Sequence, residues 1–156
     1  MKFAIASMLA SMMTVSATAS TERPLDVGAQ AKGAAQIVIA RVTDVQPRFD
    51  VNQDGDRLII SQTWLDVEET LKGVPSPVLS VDVEGGTIGN LTLDVSDTPK
   101  MQQGQRAVFF LDSSPSGTHR PHGHGHGVLM LDENDHVVGT GLSLAELRAA
   151  IQSALR

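Results

Sequence analysis

No cysteine occurs anywhere in the 156 residues, and that one absence removes several chemistries together. Thiolate metal sites, thiol nucleophiles, a lipid-anchored N-terminal cysteine and disulfide staples are all excluded. Aromatics are scarce as well: beyond Phe3 the chain holds only Phe49, Trp64, Phe109 and Phe110. Basic residues number 12 against 18 acidic ones, for a formal charge of −6. A surface of that sign, with neither a basic groove nor a set of stacking platforms, does not attract phosphate backbones or anionic lipid, so nucleic acid is not an expected partner. Local catalytic signatures are missing too: there is no G-x-S-x-G elbow, H-E-x-x-H helix, phosphate-binding G-x-x-x-x-G-K-[ST] loop or G-x-G-x-x-G turn. The chain is therefore read as noncatalytic.

What is present begins with "MKFAIASMLASMMTVSATAS". Lys2 is followed by an uncharged stretch rich in Ala, Met, Leu and Val, then by Ala17-Thr18-Ala19. That is the form of a secretory signal peptide, residues 1–19, cleaved before Ser20. Its apolar stretch is shorter than the ~20 residues a spanning helix needs, so no membrane span is expected after cleavage. Loss of Lys2 makes the mature chain one unit more negative. An exported domain without disulfides must be held by its core, which suits a bacterial periplasmic or secreted protein. The chain is long enough for one such core, since a domain of this size buries about 70% of its unfolded surface.

Residues 20–35, broken by Pro24, Gly28 and Gly33, read as a lead-in segment, and 36–156 as the domain. "QIVIARVTDVQ" has the β-branched density of a strand. "RFDVNQDGDR" reads as a turn, and from Arg57 a period of two sets Ile59, Ser61, Thr63, Leu65, Val67 and Leu71 on one inward face. "VLSVDVE" and "LTLDV" alternate likewise, "RAVFFL" is apolar enough to be covered on both sides, and "VLMLD" with "HVVG" flanks a hairpin turn at Glu133-Asn134-Asp135. The end differs in kind. Leu144, Leu147, Ile151 and Leu155 fall at helical spacing, Ser143 and Glu146 form a capping box, and Leu142 is placed to staple onto Leu147. The expected fold is mainly β: a small antiparallel OB-like β-barrel with a C-terminal α-helix, residues 143–156, packed on it.

Three segments, "AAQIVIARVTDVQ", "WLDVEETLKG" and "GQRAVFFL", resemble the netrin-like OB-fold modules, the group that includes the tissue inhibitors of metalloproteinases, and resemble still more the bacterial secreted domains built on the same pattern. The likeness runs from Ala34 to Asp112, and its most specific piece is Val67-Glu68-Glu69-Thr70-Leu71-Lys72-Gly73. The resemblance implies a five-stranded barrel with a packed helix. It implies no mechanism, because the inhibitors work through an N-terminal cysteine and disulfides that this chain lacks, and a fold alone carries no activity.

Three places are candidates for a site. Asp50, Asn52, Asp54 and Gly55 copy the first half of a calcium loop, but Ser61 stands where a bidentate Glu belongs, so a hairpin turn is the favoured reading. "HRPHGHGHG" places His119, His122, His124 and His126 within eight residues, with His136 on the neighbouring hairpin. On a straight strand His122 and His126 would be ~13 Å apart, so three imidazoles meet only if the glycines fold the loop. The first expectation is a mobile, solvated loop from Ser113 to Gly127 with no cofactor. The rival is a grip for zinc or copper(II), which suit imidazole. Trp64 has the parity opposite to Leu65 and Val67; its expected cover is the helix or the N-terminal segment, and its alternative is a partner-binding contact. Together these features predict an exported binding module for a protein or other extracytoplasmic ligand, with a periplasmic transition-metal-binding protein as the alternative.

Overall fold

The computed structural model describes residues 25–52 and 54–156. The expected signal peptide, its cleavage site and the first residues of the lead-in lie outside them. The described chain is mainly β. Strands β1 (Gln36–Val51), β2 (Arg57–Lys72) and β3 (Val78–Glu84) follow one another as an antiparallel meander. A small hairpin, β4 (Gly86–Ile88) with β5 (Leu91–Leu93), precedes β6 (Arg106–Ser113), β7 (His119–Pro121) and β8 (Val128–Leu131). The six-stranded sheet runs β1-β2-β3-β7-β6-β8, and β6 returns to pair with β1, so five strands form a ring. The ring is barrel-like rather than a uniform barrel. Its joint between β3 and β7 is parallel and is made through one pair, Val81 with His119.

Two cores follow from the pleat. Val38, Ala40 and Val42 of β1 point into the ring with Leu65, Leu79, Val81, Val83, Ala107, Phe109 and Leu111. Ile37 and Ile39, one residue out of phase, face the other way and pack with Val108 and Phe110 under the helices. Adjacent Phe109 and Phe110 thus serve different cores, which is why "RAVFFL" is apolar throughout. Bulges change the phase along the strands. Thr43 is skipped between Val42 and Asp44 in the β1–β2 register, and Glu68 and Leu71 are skipped on β2. The bulge at Glu68 is the reason Leu71, expected inward with Leu65 and Val67, instead joins the helix-side cluster.

Helix α2 (Leu144–Ala154) has the expected capping box: the Ser143 hydroxyl accepts from the Glu146 N–H, and the Glu146 carboxylate accepts from the Ser143 N–H. Leu144, Leu147 and Ile151 are buried in the outer core and Leu142 packs against it, while Leu155 stays exposed just past the helix. The lead-in, read as an irregular segment broken by Pro24, Gly28 and Gly33, holds a helix, α1 (Val27–Gly33). Asp26 caps its start through the Ala29 N–H, and Ala31 and Ala34 pack into the same core as α2. Lys72 closes its other end, donating to the carbonyls of Ala31, Lys32 and Ala34 at 2.9, 3.1 and 2.5 Å. A cation there meets carbonyls that the helix leaves without partners. The charged residues of the "VEETLKG" segment are thereby explained by packing. Besides Lys72, Glu68 pairs with Arg106 at 2.8 Å and Glu69 with Arg148 of α2 at 2.7 Å.

Candidate functional site

Beyond the bulge at Thr43, β1 and β2 continue as an arm whose outer face is not covered by the helices. Asp44, Gln46, Arg48 and Asp50 stand on it opposite Trp64, Gln62, Ile60 and Leu58, and β3 adds Ser80, Asp82 and Glu84 opposite Trp64, Gln62 and Ile60. Where β3 parts from β7, past the Val81–His119 pair, this face opens into a groove of about 760 Å³. One bank is Arg48, Asp50, Ile60, Asp82 and Glu84; the other is Asp112, the turn at Ser114–Ser116, Thr118 and Arg120, with His124 at one end.

Arg48 organises the first bank. Its Nε donates to Asp50 at 2.9 Å and its Nη2 to Asp82 at 3.0 Å. The Asp82 hydrogen bond is the main reason the guanidinium holds its proton more tightly than usual. Asp50 is held below the ordinary carboxylate range, chiefly by the Val51 N–H and then by Arg48. Thr118 reaches across the opening to Asp82 at 3.4 Å. Among the described residues, Arg48 Nη1, Asp82 Oδ1 and the nearby His119 Nδ1 are buried and have no hydrogen-bond partner. Native structures leave few such atoms, since each costs about 1–3 kcal/mol when unpaired.

The aspartate-rich stretch before β2 forms the hairpin turn. The Asn52 carboxamide oxygen accepts from the N–H groups of Asp54 and Asp56, Gly55 takes a positive φ of 88°, and the Asn52 amide donates to Glu84 at 3.1 Å.

The histidine tract differs from the expected mobile loop. Ser113 to Gly127 is a tight hairpin into β7 followed by a 3₁₀ turn, His124–Gly127. Its glycines serve close packing rather than looseness: a side chain at Gly125 would collide with the Asp97 carbonyl, and one at Gly127 would come within 2.5 Å of the His122 carbonyl. The imidazoles do not converge. His119 is half-buried on β7, His124 and His126 are exposed on the 3₁₀ turn, and His136 is exposed on the last hairpin, 3.9 Å from Asp132. His122 pairs through Nδ1 with both oxygens of Asp112, at 2.9 and 3.1 Å. Its other nitrogen abuts the backbone of α1, so near that a methyl group on Gly33 would lie 2.5 Å away. The Asp112–His122 pair has the carboxylate–imidazole form used by general bases, yet Nε2 is turned against α1. Among the described residues no three His, Asp or Glu side chains are grouped so as to hold a metal.

Trp64 keeps the outward parity read from the sequence; the helices lie elsewhere, and the first residues of the N-terminal segment, its other expected cover, lie outside the described residues. The helices lie over the β1–β6 side, and Trp64 remains 37% exposed on the outer face of β2, with Val78 diagonally beside it. Sequence reasoning missed the groove because Arg48 and Asp82 are 34 residues apart. The available signal was that the polar positions of two alternating strands are charged, with Arg48 as one cation among three carboxylates, Asp50 on its own strand and Asp82 and Glu84 on the other. A second cavity, about 390 Å³, opens at the end of the ring under β4 and β5; Val45, Pro47, Val83, Leu93 and Met101 line it. Of its charged lining residues, Lys100 and Asp94 pair at 2.8 Å and Glu84 accepts from the Asn52 amide.

No known protein-family model matches the chain, and no curated protein is significantly similar to it. Among the described residues no helix is long and apolar enough to cross a membrane.

Proposed function

We propose that this protein is an exported, noncatalytic binding module of the OB-like type, and that its ligand lies in the groove over β1, β2 and β3. The groove carries this reading: it is of the size that specific ligands occupy, and it is lined by fixed polar groups, two of which contain buried atoms with no partner. The ring order, with its one parallel joint, supports the OB-like reading, and the form of residues 1–19 supports export. The Asp112–His122 pair has its second ring nitrogen turned against Gly33 of α1, which favours binding over catalysis.

The test is a nuclear magnetic resonance titration of labelled protein with a panel of peptides and oligosaccharides, run beside a turnover assay on the same compounds. The expected result is saturable shifts grouped at Arg48, Asp82, Thr118 and Arg120, with every compound recovered intact. Shifts grouped elsewhere, or consumption of any compound, would remove the proposal.

A further inference from the structure

We propose that the ligand is a neutral oligosaccharide, with Trp64 as its stacking platform and the Arg48–Asp82 pair as its hydroxyl clamp. This rests on the binding-module reading above and adds the ligand's chemical class. Trp64 and Gln62 stand two residues apart on one face of β2, ~6.7 Å from each other along the strand. Asp82 lies opposite Gln62, hence diagonal to Trp64 at ~7–8 Å. One short glycan chain can span that distance. An indole face is negative and broad, and the C–H face of a pyranose ring is weakly positive and flat, so the two stack.

The hydrogen-bonding groups fit the same ligand. Asp82 has one oxygen engaged and the other buried without a partner; Arg48 has Nε and Nη2 engaged and Nη1 buried without a partner, among the described residues. An unpaired acceptor and an unpaired donor on paired side chains match a hydroxyl, which both donates and accepts, and a turn of either side chain at the groove wall would bring them to it. Gln46, Gln62 and Ser80 extend the row with groups of the same dual character.

Charge sets the neutrality. Asp44, Asp50, Asp82 and Glu84 on this face and at the groove outnumber Arg48 and Arg120, which disfavours uronate and sulfate groups. A polypeptide fits less well. Strand addition needs a free sheet edge, and the β3–β7 opening is already crossed at Val81–His119 and again at Asp82–Thr118. A side-chain interface needs a cluster of exposed apolar anchors, and on this face Ile60 is buried and Leu58 half-buried, which leaves Trp64 and Val78 exposed side by side, with Val51 apart at the groove.

Trp64 is the single tryptophan, so intrinsic fluorescence reports on the platform directly. The full chain is titrated with cellohexaose, maltohexaose and chitohexaose, with a heparin hexasaccharide as the anionic control. At least one neutral hexasaccharide should shift the emission saturably and shield it from acrylamide, and heparin should do neither. By calorimetry, Trp64→Ala should weaken that binding by at least about tenfold, while Trp64→Phe, which keeps a flat ring, should keep most of it. Asp82→Asn should also weaken it, with the fold checked by circular dichroism. Should Trp64→Ala fail to fold, the Phe variant and the shielding measurement still decide. The inference falls if no neutral hexasaccharide moves the emission, if heparin binds as well, or if Trp64→Ala binds like the wild type. Peptides that shift the groove amides while all three sugars leave them unmoved would sink the sugar and keep the binding module. Silence from both classes removes both.

Discussion

The two halves of the β1–β2 ladder are built from different residues and do different things. Before Thr43, β1 is buried on both faces, between the ring interior and the helices, and nearly every side chain is apolar. Beyond it, the bulge reverses the phase, the helices no longer cover the outer face, and charged side chains alternate with Pro47, Phe49 and Val51. Phe49 and Val51 are each 55% exposed, although residues of their kind are fully buried a few positions earlier. The difference shows that burial here depends on what lies above a strand as well as on the strand's own composition. The covered half holds the molecule together, which frees the open half to carry a polar groove.

The comparison is sharpest when one substitution is made in each half. Phe110→Ala, in the covered half of the sheet, should destabilise the fold by about 3–5 kcal/mol, whereas Phe49→Ala in the open arm should stay within ~0.5 kcal/mol, both read from urea unfolding. Equal losses would mean that the arm is packed as firmly as the core. Next in size, Gly125→Ala drives a methyl group into the Asp97 carbonyl and should cost about 1–3 kcal/mol or more; Gly117→Ala, in open space but at a φ of 83°, serves as the control and should cost less. A variant at Gly125 as stable as the wild type would restore the mobile loop. Ser143→Ala removes the α2 capping box and should lower stability by ~1 kcal/mol in the same assay.

The smallest effect expected is that of acid. Asp50, Asp132 and Glu146 are all held below the ordinary carboxylate range, by the Val51, His136 and Ser143 groups that donate to them. A carboxylate with a depressed folded value stabilises above its unfolded value of about 4, and that contribution disappears as pH falls through the folded value. Melting temperature should therefore be level above pH ~5 and decline below pH ~4. A decline that begins near neutral pH would mean that these carboxylates do not set the acid limit.

Much of the covered half could be read from the sequence, because its signals are local. The Ser143–Glu146 cap, the helical spacing of Leu144, Leu147 and Ile151, and the alternation in "VLSVDVE" each lie within one element. The two-sided burial of "RAVFFL" was visible for the same reason. What was hidden depends on partners far along the chain. Helix α1 contains two glycines and is short, and it exists because Lys72 and α2 meet it. The bulges at Thr43 and Glu68 leave no mark in composition, yet they decide which side Leu71 takes. Glycines in the histidine tract suggested freedom, whereas Gly125 and Gly127 answer to Asp97 and His122, contacts no local pattern reveals. Trp64's direction was legible from its parity, but its partial exposure among the described residues was not, since that depends on where the helices settle.

The single-pair joint between β3 and β7 has a mechanical consequence. A hoop fastened at one point is stiffened most by whatever clasps it there, so a guest that grips Asp82 on one side and Arg120 on the other would act as an added rivet. Occupancy would then raise the melting temperature in step with guest concentration, and slow hydrogen exchange along the rim strands first.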